Sequence, residues 1–141
     1  MLNGGILVTA ARPRRVPLAR KLGWLSGASN HGGTQTTGEV VFKLIDLPDV
    51  AGRHILILDD ILDSGVTLAA ISEKLRTAQP LSVKICVLLR KAKERLRQVE
   101  ADYVGFDIED EFVVGYGLDY MERYRNLPCI GVLRKERIGV A

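Results

Sequence analysis

Long apolar runs are missing from this chain. Among 141 residues, 47% hydrophobic and 26% charged, no run approaches the roughly 18 residues that a membrane-spanning helix requires. The composition is that of an ordinary soluble globular domain. A secretory leader is not expected, because Arg12, Arg14 and Arg15 follow the first apolar stretch instead of preceding it; the cytoplasm is the default compartment. Cysteine is scarce. Cys86 and Cys129 both lie in apolar, strand-like runs, and they read as buried reduced thiols, not as a disulfide framework. The two histidines, His31 and His54, form no pair at metal-ligand spacing, so a transition-metal site is not expected. No strand is followed by the G-x-G-x-x-G fingerprint and no Walker motif occurs, which excludes a Rossmann dehydrogenase and a P-loop nucleotidase. Acids are absent from residues 1–38, which hold Arg12, Arg14, Arg15, Arg20 and Lys21. Such a basic end suits phosphate, nucleic acid or acidic lipid, or is only a solvated face; both readings stay open.

What remains has the pattern of one α/β domain built on one main core. Val40–Leu44, His54–Leu58, Val83–Leu89, Tyr103–Ile108 and Cys129–Leu133 read as strands. The apolar run Ile55–Leu58 fits a parallel strand buried on both faces. Gly65 then opens a helical stretch with Leu68, Ile71, Leu75 and Ala78 on one side, and Pro80 closes it. Strand, helix and strand over Ile55–Leu89 make a βαβ unit. Residues 26–38, rich in Ser, Gly, Thr and Asn, read as a mobile loop. Residues 91–101, with Lys91, Lys93, Arg95 and Arg97, read as an exposed connection with possible helical content. Residues 6–21 are hard to assign, since Pro13 and Pro17 oppose a helix there.

The sharpest feature is Ile55-Leu56-Ile57-Leu58-Asp59-Asp60-Ile61-Leu62-Asp63-Ser64-Gly65-Val66-Thr67. Three carboxylates sit just past the carboxyl end of the strand, where open α/β sheets bind ligands. Ser64, Gly65 and Thr67 lead into a helix N-terminus, whose free N–H groups and positive dipole favour an anion. Adjacent carboxylates can accept hydrogen bonds from two ribose hydroxyls. The plainer alternative is that Asp63 or Ser64 only caps the helix while Asp59 and Asp60 are solvated.

This segment resembles the 5-phosphoribosyl-1-pyrophosphate (PRPP) motif of type I phosphoribosyltransferases. Gly105-Phe106-Asp107-Ile108, Glu111–Tyr120 and Tyr124-Arg125-Asn126-Leu127-Pro128 are similar to the C-terminal half of hypoxanthine-guanine phosphoribosyltransferases, and the likeness is strong from about Gly32 to Leu133. The resemblance implies an open, mostly parallel sheet flanked by helices, with a small C-terminal hood mainly in 109–141, all in a single domain over 1–141. It implies transfer of the phosphoribosyl group from PRPP to hypoxanthine or guanine with Mg²⁺, by a homodimer or homotetramer that binds neither membrane nor nucleic acid.

It also implies roles. Asp59 and Asp60 bind the ribose hydroxyls, directly or through Mg²⁺. Asp63 is the general base or acid near the purine, a task a carboxylate beside an imidazole nitrogen can perform. Asp63, Ser64, Gly65, Val66 and Thr67 cradle the 5′-phosphate. Lys91 donates to the 6-oxo group, with Arg90 and Lys93 as neighbouring alternatives. Phe112 stacks on the purine, the Val113 carbonyl accepts from its N1 or 2-amino edge, and Asp119 holds Mg²⁺ beside the base and pyrophosphate. Arg125 pairs with pyrophosphate. Leu2-Asn3-Gly4-Gly5 matches the short pyrophosphate loop, with Asn3 in place of lysine and Gly4 offering backbone N–H.

Three departures from the family pattern stand out. The usual segment before the short loop, including a core strand, has no counterpart ahead of Met1, so an exposed edge or altered core is expected beside Ile55–Leu58. Ser29-Asn30 replaces a Ser-Tyr pair in the mobile loop. Pro13, Arg14 and Arg15 sit where helix is expected. Two competing readings follow. One is a non-catalytic nucleotide or nucleic-acid binder that keeps the fold; the other is a truncated paralogue of low activity.

Overall fold

The computed structural model describes Pro17, residues 21–23, residues 49–134, Glu136 and Gly139. The expected strand Val40–Leu44, the loop 26–38, most of the basic stretch and the Asn3-Gly4 turn lie outside these residues.

In chain order the described elements are β1 (His54–Leu62), α1 (Val66–Thr77), β2 (Ser82–Lys91), β3 (Tyr103–Ile108), β4 (Val113–Val114) and β5 (Gly131–Val132). The first three strands form a parallel sheet in the order β1-β2-β3, and β4 pairs antiparallel with β5. Parallel neighbours need a crossover. The one between β1 and β2 is α1, so the βαβ unit expected from the sequence is present.

Leu68 and Leu75, one face of α1, pack on Ile57 and Leu62 of β1 and Ile85 and Val87 of β2, with Val50 closing the cluster. A second cluster lies at the carboxyl ends of the strands. There Leu88 and Leu89 of β2 meet Leu118, with Ile61, Ile108, Val113 and Tyr116 around them. This second cluster fixes the β4 region over the strand ends, where the acidic residues lie.

Several boundaries differ from the sequence reading. β1 runs on through Asp59 and Asp60 to Leu62, so those carboxylates belong to the strand and do not follow it. Asp59 stays in register with Val87 of β2; ladder bonds to β2 carry the strand past the point where apolar character ends. The strand covered on both faces is β2, from Ile85 to Leu89. β1 is more open, and Leu56 is 52% exposed. Lys91 ends β2, and residues 92–101 form bends and irregular chain with no helix. The last strand shrinks to Gly131–Val132, and Cys129 ahead of it is exposed, while Cys86 is buried as expected.

The turn from α1 into β2 passes through Ala78 and Gln79, the latter with φ 53°, before Pro80. Behind it, Asp102 joins the connection to β2: its carboxylate accepts from Lys84 Nζ at 2.6 Å and from the Ile85 N–H at 2.8 Å. The Lys84 hydrogen bond, then the Ile85 N–H, hold the Asp102 carboxyl below its ordinary value of 3.8. A depressed native value means stabilisation that is present above that ordinary value and lost as pH falls through the lowered one. Asp102→Asn is therefore expected to lower the melting temperature at neutral pH, with the gap to the parent protein narrowing below about pH 4. Acid titration of both proteins by circular dichroism checks this.

A second stability test concerns the core. Leu62 is 1% exposed at the end of β1, and Leu62→Ala is expected to cost about 2–5 kcal/mol, measured by urea unfolding.

Candidate active site

The turn after β1 shows why the segment Asp63–Thr67 is more than a capped helix. The N-cap of α1 is Gly65, in the left-handed conformation with φ 79°, and no side chain bonds to the helix end. Neither Asp63 nor Ser64 caps it, so the first N–H groups of α1 have no side-chain acceptor. The first turn carries no acid either. A helix end left this way retains its positive pole for an external anion. Gly65 is required on two counts. Its φ lies where a Cβ is strained, and a Cβ there would come within 2.4 Å of the Arg97 carbonyl oxygen and 3.0 Å of a Val99 methyl. The Arg97 N–H donates to the Ser64 carbonyl at 3.2 Å, and the Arg97 guanidinium reaches Glu73 of α1 at 2.5 Å. The segment 97–99 thus clamps the turn from outside.

Asp63, released from capping, meets two lysines. Lys91 Nζ lies 3.2 Å from its Oδ2, and Lys93 Nζ contacts its Oδ1. Both lysines also reach Asp110 Oδ1, at 3.1 and 3.2 Å. Lys91 is only 8% exposed. A buried ammonium needs such partners, since burial without them would cost several kcal/mol. Asp63 Oδ1 is itself inaccessible to water, and its partner is the Lys93 ammonium. The neighbouring Arg90 takes a different partner, binding Asp107 of β3 through Nε at 2.6 Å. Of the three cations considered in this register, Lys91 and Lys93 turn to Asp63 and Arg90 does not.

Asp59 and Asp60 are adjacent in β1, and their carboxylates lie within hydrogen-bonding reach of one another. Each is partly buried. Burial first, and the neighbouring Asp60 charge second, push the Asp59 carboxyl up to about 7. Burial also raises Asp60, while its hydrogen bonds and the charge of Arg125 draw it back down. Asp59 Oδ1 accepts from the Asp60 N–H at 3.0 Å, and Asp60 Oδ1 from the Ile61 N–H at 2.9 Å. Two partly desolvated carboxylates so close together favour a cation or hydroxyl donors beside them.

Arg125 links this acid pair to Asp119. Its Nη2 lies 2.8 Å from Asp119 Oδ1, and its Nη1 donates to the Gly117 carbonyl at 2.9 Å. Asp119 Oδ2 accepts from the Glu122 N–H at 2.7 Å. The chain folds back here through the turn Gly115–Leu118, closed by reciprocal hydrogen bonds of 2.9 and 3.0 Å. Gly115 cannot carry a side chain, because a Cβ would come within 2.0 Å of the Cys129 carbonyl oxygen. Tyr116, Met121, Glu122 and Tyr124 all have positive φ, a concentration of strained backbone of the kind found around ligand sites.

Phe112 stands edge-to-face with Tyr120, centroids 5.4 Å apart at 87°, and is 39% exposed. Its carbonyl accepts from the Leu133 N–H at 2.7 Å. In an antiparallel pair this makes Val113–Val132 the non-hydrogen-bonded pair and turns the Val113 carbonyl away from β5.

The structure therefore brings together Asp63 and Lys91, and separately Asp119, Arg125 and the Asp60 carboxylate. Asp110, two residues before Phe112, ties the lysines to the β4 region. The sequence reading missed Asp110, for a lone acid in a Glu-Asp-Glu run carries no signal of its partner. Asn3 and Gly4 lie outside the described residues, where no relation to this site is assigned. Among the described residues no helix is long and apolar enough to cross a membrane.

An acidic strand end, an uncapped helix N-terminus opened by glycine and a small antiparallel element over the strand ends define a phosphoribosyltransferase of the type I fold. The chain belongs to the phosphoribosyl transferase domain family, whose model matches residues 5–121. Similar proteins include the hypoxanthine-guanine phosphoribosyltransferase of Streptococcus pneumoniae, 42% identical over 96% of this chain and 76% of the relative. That of Staphylococcus epidermidis is 44% identical over the same shares. Among solved structures, a hypoxanthine phosphoribosyltransferase from Staphylococcus aureus superposes with a TM-score of 0.89 at 41% identity, covering 99% of this chain and 76% of that one. A hypoxanthine-guanine phosphoribosyltransferase from Bacillus anthracis gives 0.86 at 35% identity, covering 94% and 78%.

Gly65→Ala is expected to weaken ribose 5-phosphate binding at least tenfold and to lower stability by about 1–3 kcal/mol. Calorimetric titration, with a melting scan alongside, checks both.

Proposed function

We propose that the chain transfers the 5-phosphoribosyl group from PRPP to hypoxanthine or guanine, giving IMP or GMP and pyrophosphate. The observation that carries this reading is the pairing of Asp63 with Lys91 beside the uncapped start of α1. A general acid–base carboxylate, a cation for a 6-oxo group and a phosphate-binding helix end converge at one turn. The reading takes residues 1–141 as one domain, with hood elements mainly in 109–141 and a flexible loop at about 26–38. It assigns the protein to the cytoplasm as a homodimer or homotetramer.

Mg²⁺ suits the donors present. Asp59, Asp60 and Asp119 offer hard carboxylate oxygens. No three acidic, His or Cys groups converge into a cage among the described residues. Asp59 and Asp60 would hold the ion at the ribose hydroxyls, and Asp119 would hold one shared with pyrophosphate. When bound, the ion supplies positive charge that steadies the departing pyrophosphate.

The chain's own groups account for the rest. Val66, Thr67 and their neighbours bind the 5′-phosphate through N–H and hydroxyl donors, together with Asp63, Ser64 and Gly65. Arg125 leaves Asp119 to pair with pyrophosphate as a two-pronged donor, joined by Asn3 and Gly4. The ribose carbon gains cationic character as the bond to pyrophosphate lengthens, and the purine nitrogen attacks. Asp63, its charge balanced by Lys91 and Lys93, takes or holds the purine proton. Phe112 stacks on the base and the Val113 carbonyl reads its N1 or 2-amino edge. Lys91 donates to the 6-oxo group; adenine offers a donor there and leaves the ammonium without an acceptor. Positioning and charge complementarity supply most of the acceleration.

The test is PRPP-dependent consumption of hypoxanthine, guanine, xanthine and adenine with Mg²⁺. Turnover of hypoxanthine and guanine is expected, with adenine excluded; absence of product from every oxopurine would overturn the reading. Asp63→Asn is expected to reduce kcat about 100- to 10,000-fold. Lys91→Met is expected to reduce kcat/KM for hypoxanthine roughly tenfold to hundredfold, the consequence of an oxo group left without its donor.

A further inference from the structure

Lys93 has no part in the reading above, yet it touches the same two carboxylates as Lys91. The four side chains close a ring of alternating charge: Lys91 to Asp63, Asp63 to Lys93, Lys93 to Asp110, Asp110 to Lys91. Two acids balance two ammonium groups. Lys93 is the more accessible of the pair, with 29% of its side chain exposed against 10% for Lys91. It also neutralises Asp63 at Oδ1.

The consequence concerns Lys91. With Lys93 removed, one buried ammonium would sit at 3.2 and 3.1 Å from two carboxylates, with no other lysine to share them. A neutral oxo oxygen competes poorly with two carboxylates for the same N–H donors, because charge-assisted bonds are the stronger. With Lys93 present each acid divides its attraction between two cations, and Lys91 can turn to a ligand at lower cost.

Resting on the base subsite proposed above, we propose that Lys93 is a positioning residue for 6-oxopurine recognition, sharing Asp63 and Asp110 with Lys91 so that the Lys91 ammonium is available to the base. Lys93 does not touch the purine itself. The effect acts through the Lys91 ammonium, so it falls on ligands carrying the base, while the sugar phosphate, held mainly by N–H and hydroxyl donors at the start of α1, is little changed. A lysine that merely stabilised the fold would affect both ligand types through the melting point.

The test compares GMP with ribose 5-phosphate, each titrated calorimetrically into the full chain with Mg²⁺. Lys93→Ala is expected to weaken GMP roughly three- to thirtyfold, the range of coupling within one charge network, and to leave ribose 5-phosphate within twofold. Steady-state assays should agree, with KM for hypoxanthine raised and KM for PRPP little changed. Lys93→Arg, which keeps the charge, should restore GMP binding. Lys93→Ala combined with Asp110→Asn removes one charge of each sign and should recover most of the lost GMP affinity even if the single variant is less stable. Unchanged GMP binding in Lys93→Ala would overturn the inference. So would equal weakening of both ligands, or no recovery in the double variant. Failure of the parent protein to bind GMP at all would bring down the base-subsite reading itself, a result distinct from any of these.

Discussion

A lysine buried at the end of a parallel strand must find carboxylates, and the rest of this site is arranged around that requirement. Lys91 closes β2, the best-covered strand of the sheet, where water cannot serve its ammonium. Asp63 comes to it from the turn after β1 and Asp110 from the loop after β3. One ammonium thereby draws the turns following two neighbouring strands to the end of its own. Since those turns carry the helix opening on one side and Phe112 on the other, the ion pairs also set the distance between these two parts of the site.

The same demand explains why Asp63 does not cap α1. Capping would offer a neutral N–H partner, whereas Lys91 offers full charge in a shielded place, and charge-assisted contacts are the stronger. The helix end is left for a ligand, and Gly65 makes the necessary bend. Asp59 and Asp60 stay beside each other near the end of β1, each carboxylate turned back onto the backbone N–H of the next residue. Arg125 reaches back from beyond the Gly115–Leu118 turn to lend its charge to Asp60, so the acids of β1 and the second half of the chain share one electrostatic neighbourhood.

Much of this was legible in the residues. The helical spacing of Leu68, Ile71 and Leu75 predicted α1, and the apolar runs predicted β1, β2 and β3, because each pattern reflects burial that the βαβ unit realises. Asp63 and Lys91 were named as separate site residues through resemblance, and the structure joins them in an ion pair. Other features were not legible. Strand β1 continues through two acids because its ladder with β2 outweighs the poor strand preference of aspartate. The exposure of Cys129 depends on how little of the chain after it pairs. Asp110 and Lys93 form a ring only because two separate turns arrive at one place, a relation that no local pattern encodes.

The close contact at Gly65 has one more consequence. Backbone at Arg97 lies directly on the turn that opens α1, and the chain between Lys91 and Val99 is short and continuous with β2. The stretch that presents cations at one end therefore braces the anion-binding turn at the other. It behaves as the fixed bar of a caliper: the gap between Lys91 and the Gly65 turn is set by covalent geometry and backbone contact.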